Sequence, residues 1–376
     1  MKLLKTTAGA TFAVLFGMCA VEASATVQSD IDAACDSADG GTVYLPPALE
    51  VTATLRLVCG VPSSGIPTDA PVTLVGAPSV ITCKTGGTPC LEVGSTTESW
   101  TRKNLSVRDV RLIGPPRTTV GSEGIRVLPS ADESEFDRIR IEGFQKGMRF
   151  VGGSEILYGV RVSNVDISTT WGPVPDVAVH LDGKVANVYF DNFALNAYRH
   201  AILSDGPGDT GAGASFVNGR INTTKVPGVA SVYVTSSDNV THDLLLADIQ
   251  DWETACPYLE IGHQGRVMLN GIAFTGDPQS SGLQPAIKVG TGRLNAVSWL
   301  RMNNVNLAQC SGGGNLIEIS SIATFTTATG SDLYGPVQFN AAGQGAFTGN
   351  RWVSSTCLTG SLSAVRAAAN VNCADR

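Results

Sequence analysis

A strand pattern that recurs along the chain limits its fold more than any other feature. The stretch from Gly147 to Ser168, GMRFVGGSEILYGVRVSNVDIS, alternates apolar and polar residues in three short runs. Met148 and Phe150 flank Arg149, Val160 and Val162 flank Arg161, and Val165 and Ile167 flank Asp166. Period-two alternation over runs this short predicts strands rather than a helix. Gly152-Gly153, Gly159 and Asn164 stand where the chain must bend, and Gly and Asn tolerate the positive φ of tight bends. One such unit cannot bury its apolar face alone, whereas a stack of them can.

The first strand of the unit recurs with its leading apolar residue at Ile125, Met148, Val179, Ile202, Val232, Leu259, Ile287 and Ile317. The later bend recurs as Gly143-Phe144, Asn164-Val165, Asn192-Phe193, Asp248-Ile249, Gly271-Ile272 and Asn304-Val305. A step of roughly 20–30 residues is too short for a propeller blade, and no leucine-rich signature accompanies it. Regular strands with loops of varying length predict an all-β chain, a single right-handed parallel β-helix. The competing reading is a β-sandwich of many short strands. A solenoid needs caps, because its end turns would expose the core and a row of unpaired strand edges. The expected layout is a leader over 1–25, an N-terminal cap and first turns over 26–104, repeats over 105–340 and a C-terminal cap over 341–376.

The leader is read from Lys2 and Lys5, an apolar run from Ala8 to Val21, and Ala23-Ser24-Ala25. This is the pattern of a secretory signal with a small-residue cleavage site, and the run is short for a membrane span. It predicts a secreted or periplasmic protein with no membrane span. Of nine cysteines, Cys19 falls in the leader and eight remain. An even number in an exported chain predicts disulfides. Cys83 and Cys90 bracket a glycine loop and form the best pair. Cys35 with Cys59 and Cys357 with Cys373 would staple the two ends. Cys256 and Cys310 pair by elimination, although two turns at about 4.8 Å each would hold them near 10 Å apart unless a loop folds back. No CxxC or His/Cys cluster suggests zinc. A formal net charge of -7 argues against a nucleic-acid partner. Asn104, Asn222 and Asn239 head glycosylation sequons, which matter only in a eukaryotic host.

Val27 to Ala38 reads as an amphipathic helix with Val27, Ile31 and Ala34-Cys35 on one side. Gly40-Gly41-Thr42-Val43-Tyr44-Leu45-Pro46 and then Val72-Thr73-Leu74-Val75-Gly76 follow. This N-terminal quarter resembles the start of the pectate-lyase-like β-helix superfamily, whose members often open with a helix, GGTVYLP and a V-x-L-x-G turn. The resemblance implies a fold and a tendency towards polysaccharide substrates. It names no reaction. Residues 60–71 and 114–123 are rich in Pro, Gly and Ser and read as flank loops, as does Thr324–Gly330. Leu362, Val365 and Ala368 stand at helical spacing and suggest a C-terminal cap helix.

Residues i and i+2 of a strand share a face, so the residue between two inward ones points out. Stacking those positions gives Arg126, Arg149, His180, Leu203, Tyr233, Glu260, Lys288 and Glu318. Lys146, Tyr198, Arg199 and His200 lie just before the strands, and Asp182 and Asp205 just after the central position. Such a polar ladder would give an extended polysaccharide a groove. Arg126, Arg149, Lys146, Arg199, Glu260 and Lys288 are the candidate substrate-binding residues. His180, His200 and Tyr233 are candidates for proton transfer, and Asp182 with Asp205 for a hydrolytic carboxyl pair. Any soluble solenoid is polar outside, so a single Arg or Lys in the ladder is ordinary surface until geometry says otherwise.

The expected function is cleavage of an extracellular acidic polysaccharide, by a lyase rather than a hydrolase because the ladder's centre is rich in Arg, Lys and His. The alternative is a non-catalytic glycan-binding or adhesion module of a cell or virion surface. Calcium is kept as a candidate cofactor, although the glycine-rich run Asp205–Gly213 around Asp209 reads as a loop. Polygalacturonases carry NTD, DD, GHG and RIK motifs, and here Gly262-His263-Gln264-Gly265 breaks the third. The pectin methylesterase QDTL motif and the pectate lyase WIDH and RxPxxR patterns are missing too. No catalytic residue is therefore carried over from those families.

Overall fold

The computed structural model describes residues 24–370 apart from 60–69, 77–78, 97–103, 116–118, 170–175, 198, 207–212, 224–227, 237–241, 254–255, 276–283, 293–296, 309, 311–314, 322–323, 341–342, 354–355 and 369. Its strands wind as a right-handed parallel β-helix. One sheet, here the ladder sheet, has 12 described strands from Leu55–Leu57 to Leu358–Gly360. The other, the bent sheet, has 16, running from Gly41–Tyr44 to Val365–Ala368.

The inner row read from the sequence is present. Ile125, Met148, Val179, Ile202, Val232, Leu259, Ile287 and Ile317 face one another in successive strands, and all are fully buried. From the opposite wall Phe190 stacks on Phe216 at 4.4 Å and meets Phe150 edge-on at 5.7 Å. Each large side chain buried this way contributes roughly 1.5–3 kcal/mol.

The second and third runs of the unit are one strand, Arg161–Thr169, bent at Asn164. The same bend recurs in ten successive turns, at Asp109, Arg138, Asn164, Asn192, Asn218, Asp248, Gly271, Asn304, Gly330 and Gly349. Every one of these residues has φ between 51° and 64°. Asn side chains knit the row, Asn192 Nδ2 donating to Asn164 Oδ1 at 2.6 Å and Asn164 Nδ2 to Asp137 Oδ1 at 2.7 Å. Gly143, expected in this row, instead ends the strand Glu135–Glu142. Arg138 takes the place, its Nη2 donating to Asp109 Oδ2 at 2.8 Å. Gly152 also differs from expectation, because its φ is not positive. It is there for space: a Cβ would lie 2.0 Å from the Lys184 carbonyl oxygen.

The ends show further differences. A helix over 24–36 covers the first turn with Val27, Ile31 and Cys35. Three expected disulfides are formed: Cys35–Cys59, Cys83–Cys90 and Cys256–Cys310. The last pair has a Cα separation of 6.1 Å, well under the spacing of two turns, so the segments fold towards each other. Cys357 is also disulfide-bonded, while Cys373 lies outside the described residues. The expected C-terminal cap helix is instead a strand, Val365–Ala368, which pairs with Gly345–Thr348. Val365 and Ala367 are buried and their neighbours exposed, so the last apolar pair satisfies the sheet's period and not a helix's. Thr324–Thr329, expected as a loop, is a strand. Its inward threonines are β-branched and suit a pleated surface, and Thr324 Oγ1 donates to the Ser321 carbonyl. The excursion at 60–69 lies outside the described residues, and the second one ends early, because Glu123 opens the strand Glu123–Val127.

Two outcomes follow for stability. Asn192→Gly should unfold in urea close to the wild type. Asn192→Val should lose about 1–2 kcal/mol or more, since a branched residue resists left-handed backbone. Thiol titration of the denatured, unreduced exported protein should find no free thiol, and two or more would contradict the bridges.

Candidate functional site

Outward residues of the ladder sheet stack in register, as their inward neighbours do. Arg126, Arg149, His180, Leu203, Tyr233, Glu260, Lys288 and Glu318 are consecutive partners. Asp182 faces Asp205 one turn away, and Lys146 and His200 lie on either side of Val177 in a parallel row. The row is less open than expected. Its members are half-buried, and His180 is buried, with 7% of its surface exposed. Tyr198 lies outside the described residues.

Burial forces these charges to pair. Arg149 Nη1 donates to Glu123 Oε1 at 3.0 Å and its Nε to Asp182 Oδ2 at 3.0 Å. Arg126 Nε donates to Glu123 Oε2 at 2.7 Å, and its Nη1 lies 3.5 Å from Glu92. Glu123, 3% exposed, is therefore the anchor of both arginines. Burial alone would raise its carboxyl pKa, yet Arg126, Arg149 and Lys146 together hold it below the usual range. The sequence reading missed Glu123 because it sits at the end of a Gly/Pro-rich run. The signal was the offset: it precedes Arg126 by three residues and faces Lys146. Lys146 is pushed down by burial and by Arg149, against the pull of Glu123, Asp182 and Asp205.

Hydrogen bonds orient both rings. His180 Nε2 lies 2.7 Å from Asp205 Oδ1. Burial would raise Asp205, but His180, His242 and Lys146 keep it low, so it is an ionised acceptor to which Nε2–H donates. His180 Nδ1 is buried with no hydrogen bond among the described residues. His200 Nδ1 lies 2.7 Å from the Ala230 carbonyl, which can only accept, so its lone pair is on Nε2. Burial pushes His200 down to about 4, and Arg199 acts in the same direction. His200 is thus neutral at physiological pH. Its ring stacks against Tyr233 at 6.3 Å, and burial with Glu260 nearby raises the phenol. His242 Nδ1 meets Ser204 Oγ at 3.0 Å, and burial lowers it too.

The remaining candidates are more peripheral. Arg199 is placed by its backbone, whose N–H donates to Asp176 at 2.7 Å, while its Nε is buried without a hydrogen bond among the described residues. Glu260 accepts from Thr291 Oγ1 at 2.9 Å, and Lys288 follows it one turn later. His263 does not join the cluster, and its carbonyl accepts from the Ser236 N–H.

His180, Asp182 and Asp205 bring one nitrogen and two carboxylate oxygens within 4.8 Å of one another, a set that could hold a cation. No described helix is long and apolar enough to cross a membrane.

No protein-family model and no curated protein matches this chain. Solved structures do. The catalytic domain of a GH87 alpha-1,3-glucanase in complex with tetrasaccharides aligns with a TM-score of 0.52 and 11% identity, over 92% of this chain and 67% of that one. The Dettilon tailspike protein aligns at 0.51 and 13%, over 93% of this chain and 65% of its own. A Geobacillus virus E2 protein, ORF18, aligns at 0.45 and 10%, over 93% and 56%. This chain thus spans less than two thirds of the two viral proteins' length. At these identities the likeness is one of fold. The chain is a right-handed parallel β-helix.

The lowered His200 pKa predicts how stability depends on pH. Its folded pKa lies below the unfolded value near 6.5, so the unfolded chain binds more protons between the two. The contribution is fully present above about pH 6.5 and is lost as pH falls to about 4. Urea unfolding of the wild type should weaken over that window, and His200→Asn should flatten the slope. Asp205, also held low, continues the trend in more acid solution.

Proposed function

We propose that this is an exported protein that cleaves an acidic extracellular polysaccharide by β-elimination. One observation carries the reading: a neutral His200 with its lone pair on Nε2 is stacked on a protonated Tyr233, in a half-buried part of the ladder sheet that also holds Lys146. Elimination from a uronic acid needs a base, a proton donor and a positive group near the carboxylate. His200 Nε2 takes the C5 proton, the C4–O4 bond breaks as the C4=C5 double bond forms, and the Tyr233 hydroxyl protonates the departing O4. Lys146 offsets the charge of the sugar carboxylate, since the Arg149 guanidinium is held by Glu123 and Asp182. His180, oriented by Asp205, stands one turn from Leu203 and two from Tyr233.

Hydrolysis is less well supported. A glycosidase needs a carboxyl group whose pKa is raised so that it carries a proton. Asp205 is held low and bonded to His180, while Asp182 is gripped by Arg149. The same bonds argue against calcium at this cluster. Calcium takes six to eight oxygen ligands, and here a histidine nitrogen accompanies two carboxylates that already have partners. The residues do not fit that ion, and the proposed step runs without it.

The test is a panel of polysaccharides read both by absorbance of unsaturated products and by reducing ends. The wild type should yield both signals on a uronate polymer, and a chelator should leave them in place. His200→Ala should lose turnover by about 10²–10⁴-fold while still binding polymer. Reducing ends without unsaturated product would favour hydrolysis. Polymer retention with no product would favour the binding module. Arg149→Ala is a poor probe of binding, because it also strips a partner from buried Glu123 and should destabilise the fold.

A further inference from the structure

We propose that the outer face of the bent sheet between Tyr189 and Ala346 is a second glycan-binding surface, for an extended anionic polysaccharide lying along the helix axis. It stands apart from the elimination chemistry and uses none of its residues.

Two adjacent outward rows build it. In one, Asp243, Arg266, Trp299 and Phe325 are consecutive partners. The other runs from Tyr189 through Met268 and Arg301 to Ala346. Between them lies a groove of about 660 Å³. Six steps at about 4.8 Å make the second row about 29 Å long. Trp299, Tyr189, Phe325 and Met268 expose 49%, 46%, 39% and 37% of their surface. Exposed apolar surface costs about 25 cal/mol per Å², and a contiguous patch of it marks a binding site. Nearer the N-terminus the same face carries ion pairs instead, such as Arg108 with Glu135 at 3.0 Å.

The chemistry selects the occupant. A pyranose ring has an apolar C–H face that suits an aromatic ring, and hydroxyl edges that suit polar neighbours. Trp299 and Phe325 sit 6.0 Å apart, and the Arg266 guanidinium lies 5.2 Å from the Trp299 ring. Arg301 is exposed on the same strand as Trp299. Two guanidiniums face one carboxylate, Asp243, whose Oδ1 is 3.5 Å from Arg266. Burial pushes that carboxyl up, towards its neutral form. The groove is therefore a positive strip on a chain of net charge -7, which favours an anionic polymer. A second copy docked about a two-fold axis would set this positive strip against itself.

Affinity electrophoresis of the full chain in gels holding polygalacturonate, alginate or neutral dextran tests this. Both acidic polymers, or one of them, should retard the wild type, and salt should weaken the effect. Trp299→Ala and Arg301→Glu should each bind about tenfold more weakly, the scale of losing a single strong contact. The readout is binding and not turnover, so a failed elimination mechanism leaves this result intact. Arg301→Glu changes only exposed surface and keeps the test valid if Trp299→Ala folds poorly. Unchanged retention in both variants, no retardation by either acidic polymer, or a preference for dextran would overturn the proposal. So would self-association in sedimentation that Trp299→Ala abolishes, which would assign the face to a second copy.

Discussion

In ten successive turns one residue takes left-handed backbone, and the rest of the solenoid depends on it. The bend at Asn164 and its nine counterparts swings the chain around the core: up to Asp248 a single strand runs through it, and from Gly271 on the strand ends at the bend, three of the later turns resuming in a separate 3-stranded sheet. For most side chains that conformation costs about 1–2 kcal/mol, and ten such residues would strain a chain whose net stability is only about 5–15 kcal/mol. Asn, Asp and Gly keep the cost low, and the Asn side chains return part of it by bonding to the turn below. Because the bend falls at the same place each turn, the inward residues before and after it stay in register. Phe190 and Phe216 can stack only because Asn192 and Asn218 turn the chain identically above one another.

Register then decides what the outside can be. When a parallel coil repeats without slippage, outward residues stand about 4.8 Å apart in straight rows. Unlike charges in such a row pair up, and half-buried ones must. That is why Arg149 lies between Glu123 and Asp182 instead of reaching into solvent, and why His180 is tied to Asp205. Among the groups of the centre, burial drives His200, His242 and Lys146 towards neutrality by lowering a base, and Tyr233 by raising an acid. Neutral partners of opposite proton affinity are the useful product of a site in which the formal charges have already cancelled.

Much of this was legible in the residues. The inner row from Ile125 to Ile317 and the outer row from Arg126 to Glu318 could be read because period-two alternation is unambiguous in strands of three to five residues. Bends at Asn were legible for the same reason that makes them work. Arg138 was not, since nothing local marks an arginine as left-handed, and only Asp109 on the turn below makes the place tolerable. Glu123 was hidden because its role comes from burial, which depends on neighbouring turns. The strand at Thr324 was missed because its inward side is threonine, polar by composition yet buried by packing. The aromatic face was missed for a different reason. The pattern was traced along one strand of each repeat, while Trp299 and Phe325 alternate on the other.

The two faces differ in a way the fold itself explains. On the ladder sheet His200 and Tyr233 are half-buried, and their burial shifts their proton affinities, which is the condition acid–base chemistry needs. On the bent sheet the strands offer two outward positions before the bend, as at Trp299 and Arg301, so the face is wide and wet. Such a face can hold a polymer by ring stacking and charge over several turns. The two proposed roles divide in the same way, chemistry at half-buried His200 on the ladder sheet and hold at exposed Trp299 on the bent one.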